Sequence, residues 1–370
     1  MSESLKFGTS GLRGLAVELV GAESRRYAAA FLAHLRNRGW IGRTVLIGRD
    51  LRASSPAIAR DIAAALIAGG VDVLDAGEVP TPALALAAIT RKLPAVMITG
   101  SHIPGDRNGL KFYRPDGEIG KGDEAGIALA LAGAPVGEAR ATEDRTMLAG
   151  YRARYENLIQ PKALSGWRIG VWQHSSVARD FLTRLLGATG AEIVPLGRSD
   201  SFVPVDTEAV SADAVARIDG WVRELRLDAL VSTDGDADRP LLADETGAVM
   251  RGDVLGVLAA RALGAQTVVT PVTSISTVEA LFDHVVRTKV GSPYVIEGMR
   301  DAAAPVIGFE ANGGLLLGSA VSIGGQELSA LPTRDAVLPL LAVFIASLRQ
   351  GRSLSELAAE LPARFSRSDR

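Results

Sequence analysis

A serine in a loop rich in glycine and proline is the first residue of this chain whose surroundings suggest chemistry. The loop, T-G-S-H-I-P-G-D-R-N-G-L-K-F, runs from Thr99 to Phe112. It follows an apolar run, Pro94 to Ile98, that predicts a buried strand. The hydroxyl of Ser101 could carry a phosphoryl group, and Lys111 could offset the charge of about −2 that a phosphoserine brings. A strand-to-helix turn in which Ser101 is only a cap is the alternative, and this loop alone leaves both open.

A second loop has aspartate at every other position. It reads T-D-G-D-A-D-R and follows the apolar run Ala229 to Ser232. Its charged residues are Asp234, Asp236, Asp238 and Arg239. Three carboxylates at this spacing could surround one divalent cation, and Mg²⁺ favours few protein carboxylates together with a phosphate oxygen. A calcium-binding EF-hand is disfavoured, because its sixth position should be glycine and is arginine here. A solvated acidic turn is the other alternative.

The composition describes the protein that must position these loops. The chain has 370 residues, 47% apolar and 22% charged, which is enough for two or three globular domains with a large core. Its formal net charge of −2 does not predict binding to nucleic acid or to an anionic membrane. The absence of cysteine excludes disulfides and thiolate metal sites. Because the N-terminus lacks a signal pattern and no apolar run reaches roughly 18 residues, we expect a cytoplasmic protein.

Predicted helices and strands alternate along the chain. In the first part, helices are predicted over 25–35, 55–68 and 81–90, and strands over 44–48 and 71–74. The pattern restarts with strands over 167–172 and 192–196 and helices over 176–186 and 212–224. It restarts again with helices over 254–263, 278–285 and 336–348 and strands over 267–270 and 305–309. This alternation predicts an α/β protein of three successive units, with mixed sheets flanked by helices.

The loops resemble those of the α-D-phosphohexomutase family, the phosphomannomutase and phosphoglucomutase enzymes. The family's phosphoserine loop reads T-x-S-H-N-P…N-G-x-K, and its metal loop reads D-G-D-x-D-R, which Asp234 to Arg239 match without a change. The opening F-G-T-S-G-L-R-G, from Phe7 to Gly14, is typical of phosphomannomutase-type members. The loop G-F-E-A-N-G-G at Gly308 stands where the family has its sugar-recognition loop, usually G-E-M-S-G-H.

Two departures from the family's pattern bear on function. Ile103 replaces the asparagine of the phosphoserine loop, which should alter the packing of the loop rather than its chemistry. Asn312 and Gly314 stand where the sugar-recognition loop often has serine and histidine. The resemblance therefore leaves the sugar open among mannose, glucose and glucosamine.

The reaction that the resemblance implies is reversible transfer of a phosphoryl group between C6 and C1 of a hexose phosphate. Mannose 6-phosphate would become mannose 1-phosphate through a phosphoserine at Ser101 and a 1,6-bisphosphate. One Mg²⁺ per chain would be bound by Ser101, Asp234, Asp236 and Asp238, and hexose 1,6-bisphosphate would be the activator. The implied catalytic residues are Ser101, Lys111, Arg239 and His102. The implied substrate contacts are Arg13, Thr9, Ser10, Lys289, Glu310 and Asn312.

Other functions stay open at this point. A phosphoglucomutase or a dual-specificity mutase is the nearest alternative, and a catalytically silent relative that binds phosphosugar belongs to a different class. A P-loop nucleotide enzyme would need the pattern G-x-x-x-x-G-K-[ST], which the sequence lacks. For partners we expect a hexose phosphate substrate, no nucleic acid, no membrane, and a monomer or weak dimer.

The resemblance also implies how the units divide. The first, 1–140, would carry the phosphoserine loop; the second, 147–248, the metal loop; and the third, 249–362, the sugar-recognition loop, all around a central active-site cleft. The family ordinarily has a fourth domain whose R-x-S-G-T-E-P type loop grips the phosphate that is not reacting. No such loop is present in the sequence, and we expect 363–370 to be a linker towards a missing fourth domain.

Overall fold

A computed structural model describes residues 4–8, 11–133, 137 and 140–362. Thr9 and Ser10, predicted to contact substrate, and the predicted linker 363–370 lie outside this part of the chain. The described residues form three α/β units in succession, each with its own sheet. The α/β architecture predicted from the sequence, with mixed sheets and flanking helices, is confirmed.

The first unit holds the sheet that leads to Ser101. Its strands are β1 (Lys6–Phe7), β2 (Leu12–Leu15), β3 (Thr44–Arg49), β4 (Asp72–Glu78), β5 (Ala95–Ile98), β6 (Arg107–Arg114), β7 (Gly117–Glu118) and β8 (Thr142–Glu143). Its helices are α1 (Ala16–Glu18), α2 (Ser24–Asn37), α3 (Ser55–Ala68), α4 (Thr81–Arg91) and α5 (Lys121–Leu129), and a kinked segment, Leu19–Glu23, joins α1 to α2. The strand order is β1-β2-β6-β5-β3-β4-β8, with β7 beside β6. Strands β3, β4 and β5 are parallel, and β6 runs antiparallel between β5 and β2.

The second half of the predicted irregular loop is in fact a strand, so that part of the prediction was wrong. Residues Arg107–Arg114 form β6, which is buried along almost its whole length. Burial on both faces removes the alternation of apolar and polar residues that identifies a strand, and Asn108-Gly109 suggested a turn. The Asn108 amide instead donates hydrogen bonds to the hydroxyls of Ser54 and Ser55. Because Lys111 pairs with Met97 of β5, the strand fixes this lysine close to the serine loop.

The second unit is smaller. Its helices are α6 (Thr146–Tyr155), α7 (Arg179–Gly187) and α8 (Ala212–Leu225), and its strands are β9 (Arg168–Trp172), β10 (Glu192–Leu196), β11 (Ala229–Thr233) and β12 (Pro240–Ala243). The strand order is β10-β9-β11-β12, with only β12 antiparallel to its neighbour. Helix α7 begins at Arg179 rather than at the predicted Ser176, because the Ser176 hydroxyl bonds to that of Thr233 and accepts from the amide of Ala178.

The third unit completes the described chain. Its helices are α9 (Gly252–Ala262), α10 (Val278–Leu281), α11 (Ser292–Met299), α12 (Val337–Gln350) and α13 (Leu354–Ala359). Its strands are β13 (Thr267–Pro271), β14 (His284–Thr288), β15 (Val306–Phe309), β16 (Leu315–Leu317), β17 (Val321–Ile323), β18 (Gln326–Leu328) and β19 (Leu331–Asp335). The sheet order is β14-β13-β15-β16-β19, and β17 pairs with β18 as a separate hairpin.

The predicted helix over 278–285 is correct only in its first half. It ends at Leu281, and His284–Thr288 forms the edge strand β14, parallel to β13. The β-branched pair Val285 and Val286 favours a strand, and β13 supplies hydrogen-bond partners that lie far away in the sequence. Pairing with β13 across the sheet therefore outweighs the local helical periodicity.

A continuous core joins the three units. The buried cluster includes apolar residues of α4, α6, α9 and α12 and of strands from all three sheets. Within it, the hydroxyls of Tyr151 and Tyr155 in the second unit donate to the carboxylate of Asp335 in the third, at 2.9 and 2.5 Å. A buried carboxylate held in this way fixes the units relative to one another. Among the described residues, no helix is both long enough and apolar enough to cross a bilayer.

Candidate active site

Three loops, each following a parallel strand, meet where the three units face one another. The serine loop, Thr99 to Asp106, follows β5; the Asp loop, Asp234 to Arg239, follows β11; and the sugar loop, Glu310 to Gly314, follows β15. Loops at the carboxyl ends of parallel strands are the usual place for sites in open α/β sheets. The hydrogen bonds described below link all three loops into one cluster.

Ser101 sits at the centre of the serine loop and is fully buried. Its backbone φ of +54° lies in the left-handed region, which is uncommon for a residue other than glycine. The Ser101 amide donates to the hydroxyl of Thr99 at 2.8 Å, which holds this conformation. The Ser101 hydroxyl donates to Asp234 Oδ2 at 2.5 Å, and it lies 3.4 Å from His102 Nδ1. The serine oxygen is thus aimed at the Asp loop.

Arg52, which the sequence did not single out, holds the serine loop in shape. Its guanidinium donates to four backbone carbonyls of the loop and of the first residue of β6, at 2.7–2.9 Å: those of Ser101, Ile103, Pro104 and Arg107. Its Nε donates to Asp50 at 3.1 Å, and Asp50 also accepts from the Thr99 hydroxyl. The ring of Phe202, from the second unit, covers the guanidinium at 3.8 Å. All its donor groups are directed at partners, so Arg52 acts as the frame of this loop.

The Asp loop brings its three carboxylates together, with a lysine between two of them. Lys111 Nζ donates to Asp236 Oδ2 at 2.5 Å and to Asp238 Oδ2 at 2.6 Å. Asp234 Oδ1 accepts from the amides of Asp238 and Arg239 at 3.2 Å, which closes the turn. The three side chains are buried, and one oxygen from each lies within 4.8 Å of the others. The aspartates predicted as metal ligands therefore form a single cluster.

Among the residues that the structure describes, two oxygens of this cluster have no hydrogen-bond partner. They are Oδ1 of Asp236 and Oδ1 of Asp238, both buried. A buried carboxylate oxygen without a partner costs free energy, and a cation would remove that cost. The Oδ2 atoms, by contrast, are fixed by Lys111, which leaves the Oδ1 atoms as ligands. The residues present fit a divalent metal ion.

The ionisation of the cluster follows from burial and from its cations. The pKa of Asp234 is raised well above its ordinary range by burial and by the charges of Asp236 and Asp238. Burial also raises the pKa of Asp238, but Arg334, Lys111 and Arg239 outweigh it, so the pKa of Asp238 is lowered. Burial lowers the pKa of Lys111, and the two aspartates it binds more than reverse this effect, so this lysine stays protonated.

Guanidinium groups surround the same place. Burial, together with the charges of Arg239 and Arg334, lowers the pKa of Arg13 to about 10. Arg13 Nη2 and Arg239 Nε are buried, and neither has a hydrogen-bond partner in the described part of the chain. Cations gathered with donors unpaired form a site for an anion, and a phosphate group would accept from both. Arg13 and Arg239, both predicted from the sequence, therefore lie together beside the aspartate cluster.

His102 is a second neighbour of the serine hydroxyl, besides Asp234, with a shifted pKa. Burial and the charge of Arg239 lower the pKa of His102 to about 3. Its imidazole is therefore neutral near pH 7 and has a nitrogen that can accept a proton. Lys111, whose raised pKa keeps it protonated between its two aspartates, cannot play that part.

The sugar loop presents Glu310 to the cluster through a second arginine that the sequence did not reveal. Glu310 is buried, and its Oε2 accepts from Arg334 Nη1 at 2.8 Å. Arg334 also donates to Asp238, so the sugar loop and the Asp loop are linked. Asn312 uses its Oδ1 to accept from the Gly314 amide at 3.0 Å, which shapes the loop. That oxygen is thus occupied inside the protein.

Lys289 lies apart from these residues. It is exposed, and its ammonium lies 5.7 Å from the ring centroid of Tyr294. Tyr294 lines a cavity of about 590 Å³ between the first and third units, together with residues of β7 and α5. Among the residues that the structure describes, no hydrogen bond joins the Lys289 side chain to the serine or Asp loops. Thr9 and Ser10 are not among the described residues.

The comparisons with known proteins cover the whole of this architecture. Three phosphoglucomutase/phosphomannomutase family models match: alpha/beta/alpha domain I over residues 4–132, domain II over 150–247 and domain III over 251–365. The phosphomannomutase of Sinorhizobium fredii is 52% identical over 370 residues, which cover 96% of this chain and 78% of that protein. That of Salmonella muenchen is 46% identical over 372 residues, which cover 99% and 77%.

A solved structure agrees with these sequence matches. That of a putative phosphomannomutase from Thermus thermophilus superposes with a TM-score of 0.78 at 26% identity, over 97% of this chain and 84% of that one. The predicted family and the predicted phosphohexomutase class, an intramolecular phosphotransferase, are confirmed. The chain belongs to the phosphoglucomutase/phosphomannomutase family.

Proposed function

We propose that this chain is a phosphomannomutase that interconverts mannose 6-phosphate and mannose 1-phosphate through a phosphorylated Ser101. The observation that carries the proposal is the direct contact between the buried Ser101 hydroxyl and Asp234, 2.5 Å away, inside a cluster of aspartates and cations. Mannose is the proposed sugar because the relatives at 52% and 46% identity are phosphomannomutases. The phosphoglucosamine mutase of Rhodospirillum rubrum is less similar, at 32% identity.

The Asp loop is proposed to hold one Mg²⁺. Its ligands would be Asp234, Asp236 and Asp238, and an oxygen on Ser101 would complete the set, because the Ser101 hydroxyl already contacts Asp234. When bound, Mg²⁺ supplies a positive charge that stabilises the phosphoryl oxygens during transfer.

The transfer itself needs little from the protein beyond position and charge. The bond between phosphorus and the Ser101 oxygen breaks while a bond from phosphorus to a sugar hydroxyl forms, and the proton of that hydroxyl leaves. His102 is proposed to accept this proton and to pass it to the departing Ser101 oxygen, because its imidazole is neutral and its Nδ1 lies 3.4 Å from that oxygen. In the second transfer, from the 1,6-bisphosphate back to Ser101, the neutral imidazole takes the serine proton and returns it to the sugar oxygen that leaves phosphorus.

The remaining predicted residues bind charge and sugar. Lys111 and Arg239 stabilise the transferring phosphoryl group, and Arg13 offers its unpaired Nη2 to a phosphate. Glu310 is proposed to accept hydrogen bonds from sugar hydroxyls. Lys289, Asn312, Thr9 and Ser10 stay predicted contacts. A hexose 1,6-bisphosphate would serve as activator by phosphorylating Ser101.

Parallel kinetics with two sugars test the substrate. We expect kcat/KM for mannose 1-phosphate to exceed that for glucose 1-phosphate by about tenfold or more, because hydroxyls that pair with buried polar groups discriminate strongly. Equal values would make this a dual-specificity mutase, and a preference for glucose a phosphoglucomutase. Turnover of neither sugar, in the presence of Mg²⁺ and hexose 1,6-bisphosphate, would favour a silent binding relative.

The contacts between Arg52 and the serine loop give a further prediction. Arg52→Lys keeps the charge, but three ammonium donors cannot reach the four carbonyls that the guanidinium binds. Each lost charged hydrogen bond costs about 1.5–3 kcal/mol, so thermal stability should fall, and kcat should fall at least about tenfold as Ser101 loses its position. Arg60→Lys, on the exposed face of α3, is the control and should change neither. An unchanged kcat in Arg52→Lys would show that the loop holds its shape without this residue.

A further inference from the structure

Arg334 is a buried arginine that belongs to none of the three loops. It lies on β19, next to the strand that follows the sugar loop, and is 2% exposed. Its Nη2 and Nε donate to Asp238 Oδ2 at 2.8 and 3.1 Å, and its Nη1 donates to Glu310 Oε2 at 2.8 Å. One planar guanidinium therefore joins a carboxylate of the Asp loop to the carboxylate of the sugar loop.

The surrounding residues make room for this arginine. A Cβ atom on Gly314 would lie 2.7 Å from Arg334 Cδ and 2.9 Å from the Asp238 carbonyl oxygen, closer than side chains approach. Glycine at 314 thus lets the sugar loop, the Arg334 side chain and the Asp loop touch. A side chain at 314 and the observed path of Arg334 exclude one another.

The strand that carries Arg334 is also anchored. The neighbouring Thr333 hydroxyl donates to Glu118 Oε1 at 2.6 Å, and the Ser292 hydroxyl donates to Glu118 Oε2 at 2.8 Å. Glu118 belongs to β7 of the first unit, whereas Thr333 and Ser292 belong to the third. The backbone from which Arg334 extends is therefore fixed to the unit that carries Ser101.

We propose that Arg334 is a positioning residue that couples sugar binding at Glu310 to metal binding at the Asp loop. This inference rests on the proposed function for the roles of Glu310 and the aspartates. Arg334 and Lys111 both donate to Asp238 Oδ2, which leaves Oδ1, without a hydrogen-bond partner among the described residues, as the oxygen available to a metal ion. Partners that orient a ligand in this way commonly change metal affinity by 10–100-fold.

The sign of the coupling follows because Asp238 and Glu310 share the guanidinium of Arg334. A divalent cation at Asp238 takes up part of the negative charge that Arg334 now balances, so Arg334 pairs more fully with Glu310. Glu310 is then held in one orientation for the sugar hydroxyls. Metal binding should strengthen sugar binding, and by linkage sugar binding should strengthen metal binding by the same factor.

Calorimetry on dephosphorylated protein, which cannot turn over without a bisphosphate, tests the coupling. Mg²⁺ is titrated into the protein, and mannose 1-phosphate is titrated with and without Mg²⁺. For the wild type we expect mannose 1-phosphate to bind at least about fivefold more tightly with Mg²⁺. In Arg334→Lys, which keeps the charge but replaces the planar guanidinium with a single ammonium, this factor should fall to near one.

Glu310→Gln gives an independent arm that leaves Arg334 intact. Glu310 is not among the clustered metal ligands, yet without its charge Arg334 is less neutralised beside Asp238, so Mg²⁺ affinity should fall about threefold or more. In the double variant, Mg²⁺ should bind no more weakly than in Arg334→Lys alone, because both changes remove the same link between Glu310 and Asp238. Arg349→Lys, at the exposed end of α12, is the matched control and should change nothing.

The outcomes separate this inference from the proposed function. One outcome overturns the role of Arg334 and leaves the mutase proposal intact. In it, wild-type protein binds Mg²⁺ and mannose 1-phosphate, and both the Mg²⁺ affinity of Glu310→Gln and the coupling factor of Arg334→Lys equal the wild-type values. Wild-type protein that binds neither ligand counts against the mutase site itself, and the coupling falls with it. Thermal melting shows whether Arg334→Lys is folded, and Glu310→Gln alone decides if it is not.

Discussion

Ser101→Ala is expected to lower mutase turnover by about three orders of magnitude or more, because the phosphoryl group would have no oxygen to bind. The Ser101 hydroxyl lies 2.5 Å from Asp234, and no other hydroxyl among the described residues donates to the carboxylates of the three clustered aspartates except that of Thr81, on Asp236. The fold should persist, since Arg52 and Thr99 contact Ser101 only through its backbone carbonyl and amide, which alanine keeps.

The measurement has two parts that fail separately. The first is turnover of mannose 1-phosphate in the presence of Mg²⁺ and hexose 1,6-bisphosphate. The second is transfer of phosphate from the bisphosphate to the protein, followed by intact-mass spectrometry, which should show phosphorylation of the wild type and none of the variant. Ser201→Ala, an exposed serine in the second unit, is the control. Near-normal turnover in Ser101→Ala, or phosphorylation that survives it, would move the carrier to another residue.

The Asp loop could be predicted from the sequence because its chemistry is local. Three aspartates within five residues must lie close together in any tight turn, and the preceding apolar run identifies the buried strand β11. The serine loop itself suggested Ser101 and Lys111, and the family pattern then supplied Arg13 and Glu310, which lie far from that loop in the sequence. Their proximity is a property of the fold.

Arg52 and Arg334 could not be found in this way. Each makes bonds to residues 24 to 96 positions away in the sequence. A single arginine in a sequence is more often exposed than buried, so neither has a local signature. Arg52 is buried because loop carbonyls need donors once the loop is enclosed, and Arg334 because two carboxylates need one cation.

The errors of secondary structure have the same origin. The sequence predicts a loop at β6, because burial on both faces hides the alternation of polar and apolar residues that identifies a strand. It predicts a helix at β14, because the partner strand β13 is not adjacent in the sequence. In both places, pairing across a sheet decided the structure against local preference. The prediction of the site was little affected, because β6 still places Lys111 close to the serine loop.

Asp236→Asn is expected to weaken Mg²⁺ binding by at least about tenfold, since charge count and ligand number set the affinity of oxygen sites. The change keeps the size of the side chain but removes the negative charge that Lys111 and the metal share. Asp236 Oδ1 is buried without a partner, so it is available to a cation, and Oδ2 accepts from Lys111 and Thr81. An amide would direct two hydrogens into this crowded place, and either the metal or the lysine would lose a partner.

Titration calorimetry with Mg²⁺ measures this directly and needs no turnover. Asp213→Asn, at the exposed start of α8 in the same unit, removes the same charge from the protein and should leave the affinity unchanged. If long-range charge alone drew Mg²⁺ to this unit, both variants would weaken binding equally, and screening by salt would remove the difference from wild type. If the aspartates are a solvated acidic turn without a metal, Asp236→Asn will bind as the wild type does. Only a loss confined to Asp236→Asn supports ligation by the unpartnered Oδ1.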